Sequence, residues 1–193
     1  RMRGSPDEAL LFYAKALFYD ETDMDAHIGK AIAYRTLKQY SESIQSINEA
    51  LKIEDNNEKA LFVKGNCLGT AGDYEEAINV YMKFIEKFPN SDDITEAWGA
   101  IAWNQNRLGE PDKALTSNEN AFKIDSKNVL ALQENGVALE ALKKYSDAIN
   151  RFEECLNLNS EYERYYLTHI INCCKKLGDI TKQKEYEDKY KNL

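Results

Sequence analysis

Residues 74–87 read YEEAINVYMKFIEK, and the spacing of the apolar side chains in this stretch predicts the fold. Its apolar side chains, Ala77, Ile78, Tyr81, Phe84 and Ile85, return at steps of three and four residues. Such steps place side chains on one face of an α-helix. The stretch therefore predicts an amphipathic helix that turns this face toward a core.

The same pattern recurs along the chain. It begins at Pro6, Tyr40, Tyr74, Pro111 and Tyr145, at intervals of 34, 34, 37 and 34 residues. A second helical pattern precedes each of the last four copies, so each copy reads as helix, short turn, helix. The turns are predicted at residues 38–39, 72–73, 109–110 and 143–144.

Residues at these turns support the helix boundaries. Gly72 and Gly109 supply the left-handed backbone that often ends a helix. Pro111 suits the first helical position, where its missing donor does no harm. Ser41 and Ser146 are expected to cap the second helices by accepting from free amides.

A helix–turn–helix period of 34 residues resembles the tetratricopeptide repeat family. The positions that carry the resemblance in one copy are Leu61, Gly65, Leu68, Ala77, Tyr81, Phe84 and Pro89. The resemblance implies an all-α fold, a right-handed α-solenoid of tandem hairpins that forms a superhelix. Phe84 departs from the pattern because it replaces a small residue.

The repeats predict one array over residues 6–193 with eleven helices. A lone leading helix (6–22) precedes four full repeats (24–57, 58–91, 95–128 and 129–162) and a degenerate closing hairpin (163–193). The second helix of that hairpin is polar around Tyr186 and Tyr190, which suits a terminal cap. The linker after the second repeat carries three extra residues. Residues 1–5 are interpreted as the remnant of an expression tag.

Composition excludes several classes of function. The net charge is −8, and the basic residues are interleaved with acidic ones, so we expect no nucleic-acid partner. An apolar run of membrane-spanning length is lacking, so we expect no membrane insertion. The four cysteines have no metal-binding spacing and are interpreted as small core residues of a reduced, cytoplasmic protein. Their positions are Cys67, Cys155, Cys173 and Cys174.

The family resemblance also implies which residues line a concave groove, through positions two, five, nine and twelve of each first helix. The candidate groove residues are Ile28, Ile32, Arg35, Phe62, Asn66, Glu96, Trp103, Asn106, Gln133, Val137 and Glu140. Trp103 and Phe62 are the predicted anchors, because aromatic side chains often dominate an interface. For Ile28, Ile32 and Val137, packing between helices is an equal alternative. Position five never holds Lys, which argues against the carboxylate clamp of members that bind chaperone tails.

We therefore predict a protein-protein interaction scaffold or adaptor that binds a peptide or helix of a partner. No phosphate loop, metal-ligand cluster or nucleophile–base pair is recognisable, so we expect no enzyme, no cofactor and no metal. Two alternatives stay open: a self-assembling structural protein that uses its N-terminal end or convex face, and a regulatory module of a larger enzyme. Leu11, Phe12 and Phe18 predict an apolar face on the leading helix that a second copy, forming a homodimer, or another segment would cover.

Overall fold

The computed structural model describes residues 5–159 and 161–193, and within them every regular element is a helix. The eleven helices are α1 (Pro6–Tyr19), α2 (Met24–Thr36), α3 (Tyr40–Ile53), α4 (Glu58–Ala71), α5 (Tyr74–Lys87), α6 (Ile94–Arg107), α7 (Pro111–Phe122), α8 (Val129–Ala141), α9 (Tyr145–Leu158), α10 (Glu163–Leu177) and α11 (Ile180–Lys191). The predicted fold class, an all-α solenoid of tandem hairpins, is confirmed. Of the presumed tag remnant, residues 1–4 lie outside the described residues.

The chain divides into two compact units, Arg1–Asp93 and Ile94–Leu193. The first contains α1 and the hairpins α2–α3 and α4–α5, and the second contains the hairpins α6–α7, α8–α9 and α10–α11. The boundary falls in the linker that carries the extra residues. Within each unit, consecutive helices pack against one another, and first helices of neighbouring hairpins also meet, as α6 and α8 do.

The turns inside the hairpins use left-handed backbone, as predicted. Gly72 and Gly109 have φ values of 99° and 74°, and Lys38 and Lys143 adopt φ values of 60° and 62° at the equivalent turns. Pro111 occupies the start of α7, as expected. The hairpin turn is thus set by the backbone even where no glycine is present.

The prediction that Ser41 and Ser146 cap the second helices is wrong. Helices α3 and α9 begin one residue earlier, at Tyr40 and Tyr145, and neither has a side-chain cap. Each serine therefore lies inside the first turn, past the position from which a hydroxyl caps the free amides. Side-chain caps occur on the first helices α4 and α8, where Asn57 accepts from the amide of Ala60 and Asn128 from that of Ala131. The second helix α11 also has one, because Asp179 accepts from the amide of Lys182.

Each unit is held together by close pairs of a glycine and an aromatic ring. A Cβ on Gly65 would lie 2.6 Å from Cζ of Tyr81, and one on Gly136 would lie 2.9 Å from Cζ of Phe152. Both rings are buried. The absence of a side chain on the first helix lets the ring of the second helix lie against its backbone. Phe152 thereby becomes the centre of the core between α8, α9 and α10.

The closing helix α11 is polar, as predicted, and Tyr186 is its one buried side chain. The hydroxyl of Tyr186 donates to the carboxylate of Glu153, and Lys182 pairs with the same carboxylate at 2.8 Å. The contact between α11 and α9 therefore includes these charged groups, and the outer face of α11 is exposed to solvent.

The leading helix α1 contrasts with α11, because none of its side chains is buried. Phe12 and Phe18 expose 69% and 82% of their surfaces. A capping box stabilises the N-terminus of α1: the hydroxyl of Ser5 accepts from the amide of Glu8, and the carboxylate of Glu8 accepts from the amide of Ser5. Ser5, interpreted from the sequence as part of a tag, thus caps a helix.

Candidate functional site

The candidate residues of the first unit lie on α2 and α4, on what we call the first-helix face, meaning the groove positions of the first helices. Ile32, Arg35, Phe62 and Asn66 are half-buried there. Ile28 is 1% exposed and belongs to the core between α2, α3 and α4. The expectation that Ile28 would meet a partner is therefore corrected in favour of the packing alternative.

Phe62 is partly engaged by the core beneath it. Its ring centroid lies 5.8 Å from that of Tyr81 and 5.4 Å from that of Phe84. Phe84 is the large residue that replaces a small one in the repeat pattern, and it fills the space under Phe62. One edge of Phe62 thus packs inward while the rest stays accessible.

In the second unit, Asn106 and Gln133 converge on a carboxylate that the sequence did not single out for a function. The side-chain amide of Asn106 donates to the carbonyl oxygen and to Oε2 of Glu134, both at 2.9 Å. Gln133 donates to Oε1 at 3.0 Å. Glu134 is only 3% exposed. The stretch Val129–Ala141 also contains Gln133, Asn135 and Glu140, so the sequence alone does not single out Glu134 as the buried acid.

Burial raises the pKa of the Glu134 carboxyl, against the opposing effects of the two amide donors and of Arg107 and His169. The folded protein therefore holds this proton more tightly than the unfolded chain does. As pH rises from the ordinary range of a Glu carboxyl through the raised folded value, the contribution of Glu134 to stability falls.

Glu140 lies at the contact between α8 and α10. Its Oε2 is 2.5 Å from Nδ1 of His169, and the His169 ring stacks on Phe152 with 4.7 Å between centroids. Tyr165 packs against the same imidazole at 4.5 Å. Glu140 is thus a half-buried hydrogen-bonding partner, not a freely solvated side chain.

Trp103 and Val137 are both half-buried on the first helices of this unit. The guanidinium carbon of Arg107 lies 5.0 Å from the centroid of the Trp103 ring, a cation–π contact. Val137 packs against the core around Phe152. Trp103 therefore keeps part of its ring accessible, as an interface anchor requires.

A cavity of about 650 Å³ opens on the second unit. It is lined by Glu96, Asn128, Val129, Leu130, Gln133, Asn159, Tyr162, Tyr165 and Tyr166. Glu96 and Gln133 are the two predicted groove residues among them. The three tyrosines lie in one short segment between α9 and α10 and at the start of α10, and this density of aromatic residues is the sequence signal for the cavity.

The first unit has a smaller depression of about 290 Å³, lined by Phe12, Tyr13, Ala16, Asp23, Asp25, Ala26, Ile28, Gly29, Ile32 and Lys59. Lys59 and Asp25 join α4 to α2 across its edge, with 2.7 Å between Nζ and Oδ1. Ile28 borders the depression but leaves almost none of its surface open to it. A second depression of the first unit, of about 450 Å³ between Glu58 and residues 87–92, is also smaller than the cavity of the second unit.

The four cysteines are free and buried, which confirms their interpretation as core residues. Burial raises the pKa of Cys155 and of Cys173 to about 12, so both thiols keep their protons at neutral pH. No group of three or more metal-ligating side chains comes together in residues 5–159 and 161–193. In the same residues, no helix combines the length and apolar character needed to cross a membrane.

Family models described as tetratricopeptide repeat match residues 25–57 and 59–91. The Hsp70-Hsp90 organizing protein of Triticum aestivum is 26% identical over 185 residues, which cover 89% of this chain and 29% of that protein. The TPR repeat-containing protein MJ1428 of Methanocaldococcus jannaschii is 28% identical over 186 residues, covering 96% of this chain and 31% of that protein. The chain thus spans less than a third of the length of these relatives.

Among solved structures, that of PilW, described as a widely conserved type IV pilus biogenesis factor, has a TM-score of 0.87 at 18% identity. The match covers 95% of this chain and 84% of that one. At this identity the likeness concerns the fold. Four findings agree, namely the repeat period, the close pairs of glycine and ring, the family models and these relatives. The chain belongs to the tetratricopeptide repeat family.

Proposed function

We propose that this chain is a protein-binding scaffold whose first-helix face binds a peptide or a helix of a partner. One observation carries the proposal: in the second unit, the half-buried side chains of Trp103, Asn106, Gln133 and Glu140 lie on the neighbouring first helices α6 and α8, and Gln133 also lines an open cavity. Binding sites for peptides combine an accessible aromatic anchor with a few fixed polar groups. The hydrogen bonds around Glu134 and His169 fix those polar groups before any partner arrives.

The relatives support a scaffold in general terms, because one is named an organizing protein for Hsp70 and Hsp90 and a structural neighbour is a pilus biogenesis factor. Chaperone tails are nevertheless not the partner that we propose. The fifth position of the first helices holds Ile28, Phe62, Gly99 and Gln133, and none of these offers a cation to a carboxylate. Cytoplasmic localisation and the lack of enzymatic activity stay predictions.

A peptide library displayed on phage and selected on the purified chain tests this function. We expect a family of short peptides to be enriched, and binding of one of them to shift backbone amide resonances of α6, α8 and α10. The second helices α7 and α9 serve as the internal control, because we expect their backbone amide resonances not to shift. Enrichment of no peptide, or shifts confined to the second helices, would contradict the proposal.

The second candidate function is self-association through α1, favoured by the exposed Phe12 and Phe18. An apolar face of this kind is unusual on an isolated repeat array, whose ends normally carry polar caps. We propose that a second copy of the chain covers it in a homodimer.

Sedimentation velocity over a range of protein concentrations tests the homodimer. We expect a dimer for the unchanged chain and a monomer for the double variant Phe12→Ser and Phe18→Ser. A matched control places serines at Leu177 and Ile180, which are exposed near the other end, and should leave the dimer intact. An unchanged chain that remains monomeric and dispersed at high concentration would rule out this interface.

A further inference from the structure

The cavity of the second unit contains a carboxylate without a partner. Glu96, in the first turn of α6, is exposed at the edge of the cavity, and its side chain makes no hydrogen bond or ion pair with any residue in the described part of the chain. Glu96 is also the one charged side chain among the lining residues. A ligand that enters the cavity therefore meets one carboxylate that no side chain of the described residues pairs with.

Two tyrosine rings form another part of the lining. Tyr162 and Tyr165 expose 54% and 39% of their surfaces, so both rings are open to a ligand. The face of a tyrosine ring attracts cations because of its quadrupole. The rings of Tyr162 and Tyr165 and the carboxylate of Glu96 thus all attract a positively charged ligand.

A buried hydroxyl adds an acceptor. Tyr166 lines the cavity and is 0% exposed, and its hydroxyl has no hydrogen-bond partner in residues 5–159 and 161–193. Leaving a buried hydroxyl unpaired is costly. A ligand donor reaches this oxygen only if Tyr166 shifts, because the hydroxyl itself is closed to solvent.

The side-chain amides of Asn128 and Asn159 offer hydrogen-bond donors to a different part of a ligand. Oδ1 of Asn128 accepts from the amide of Ala131, and Oδ1 of Asn159 accepts from the amide of Glu161. Their side-chain nitrogens remain as donors for carbonyl oxygens. The lining therefore suits a peptide, whose backbone supplies carbonyls and whose side chain supplies the cation.

Helix dipoles are the other source of charge at the cavity. The starts of α6, α8 and α10 and the end of α9 border it, so the positive helix ends outnumber the negative one. Arg107 is held over Trp103, and Arg164 over Tyr190 at 5.2 Å. Lys127 precedes Asn128 in the chain but does not line the cavity. The preference for a cation therefore rests on direct contact with Glu96 and the two tyrosine rings, not on the field of the helices.

We propose that this cavity binds an arginine side chain of the partner, with the guanidinium against the rings of Tyr162 and Tyr165 and hydrogen-bonded to Glu96. The inference rests on the proposed peptide-binding function and names the chemistry of the ligand. Arginine fits better than lysine, because a planar guanidinium stacks on tyrosine and carries enough donors to reach both the carboxylate and a second acceptor.

The test uses the full chain labelled with ¹⁵N and two small probes, Nα-acetyl-arginine amide and Nα-acetyl-citrulline amide. Citrulline has nearly the shape of arginine but carries no charge. We expect the arginine probe to shift the amides of Glu96, Leu130 and Tyr165, with an affinity about tenfold higher than that of the citrulline probe.

Glu96→Gln should reduce the affinity for the arginine probe to that for citrulline, and Tyr162→Ala should weaken it several-fold. Glu119→Gln makes the same chemical change at an exposed position on α7 and should have no effect. Equal affinities for the two probes, shifts outside the cavity, or an unchanged affinity in Glu96→Gln would each overturn the inference.

The phage selection separates this inference from the function on which it rests. Enriched peptides that bind the first-helix face without a shared basic residue would overturn the arginine site and leave the scaffold function standing. Binding of the arginine probe to the cavity, together with no enriched peptide, would support the guanidinium specificity and count against the scaffold function.

Discussion

Replacing Phe152 with alanine is expected to lower the free energy of unfolding by about 3–5 kcal/mol, the usual cost of removing a buried aromatic ring. Phe152 is fully buried, lies against the backbone of Gly136 and stacks on His169 and Tyr166. Its removal leaves a cavity that the rigid surrounding helices fill poorly. Urea unfolding followed by circular dichroism measures the change.

Ile124→Ala is the control, because it truncates an apolar side chain of the same unit that is 58% exposed and lies outside the interface proposed for α1. Its effect should stay within about 0.5 kcal/mol, as for other surface substitutions. Similar losses in the two variants would show that Phe152 is not the centre of this core.

Replacing Trp103 with alanine is expected to raise the dissociation constant of a selected peptide about 30-fold, equivalent to about 2 kcal/mol at an interface anchor. The indole is half-buried on α6 with the Arg107 guanidinium over its ring, so a partner can cover the accessible part without reorganising the core. Isothermal titration calorimetry measures the binding, and thermal unfolding shows whether the fold is retained.

Phe122→Ala provides a control of similar geometry. Phe122 is a half-buried aromatic residue beneath Arg151, with 5.5 Å between the guanidinium carbon and the ring centroid, but it lies on the second helix α7. We expect this change to affect stability and to leave peptide affinity unchanged. A Trp103→Ala protein that binds normally once folded would remove Trp103 from the proposed site.

The repeat pattern predicted the helices well because its key contacts are local. Gly65 and Tyr81 are 16 residues apart in one hairpin, so the period alone places them together. The face of each helix follows from the same spacing. What the period leaves open is how deeply a residue on that face is covered by its neighbours.

The candidate site was harder to predict for that reason. Ile28 and Ile32 occupy equivalent kinds of position, yet Ile28 is covered by side chains from α3 and α4 while Ile32 stays half-exposed. The burial of Glu134 is offset by a hydrogen bond from Asn106, 28 residues away on another helix. Such pairings depend on the individual residues that differ between repeats, and a shared pattern carries no information about them.

The close pairs of glycine and ring have a consequence for how such chains exchange parts in evolution. Gly136 and Phe152 belong to one hairpin, as do Gly65 and Tyr81, so recombination between hairpins moves these two pairs intact. Gly29 of α2 is different, because its ring partner Tyr13 lies on the preceding helix α1. A crossover inside a hairpin separates the partners and brings a ring against a side chain that has no room for it. At the equivalent positions of α6 and α7 stand Ala102 and Asn118, both buried. A hybrid that joined α6 to the second helix α9 would therefore set Phe152 against the methyl group of Ala102, so the whole hairpin is the segment that can be exchanged.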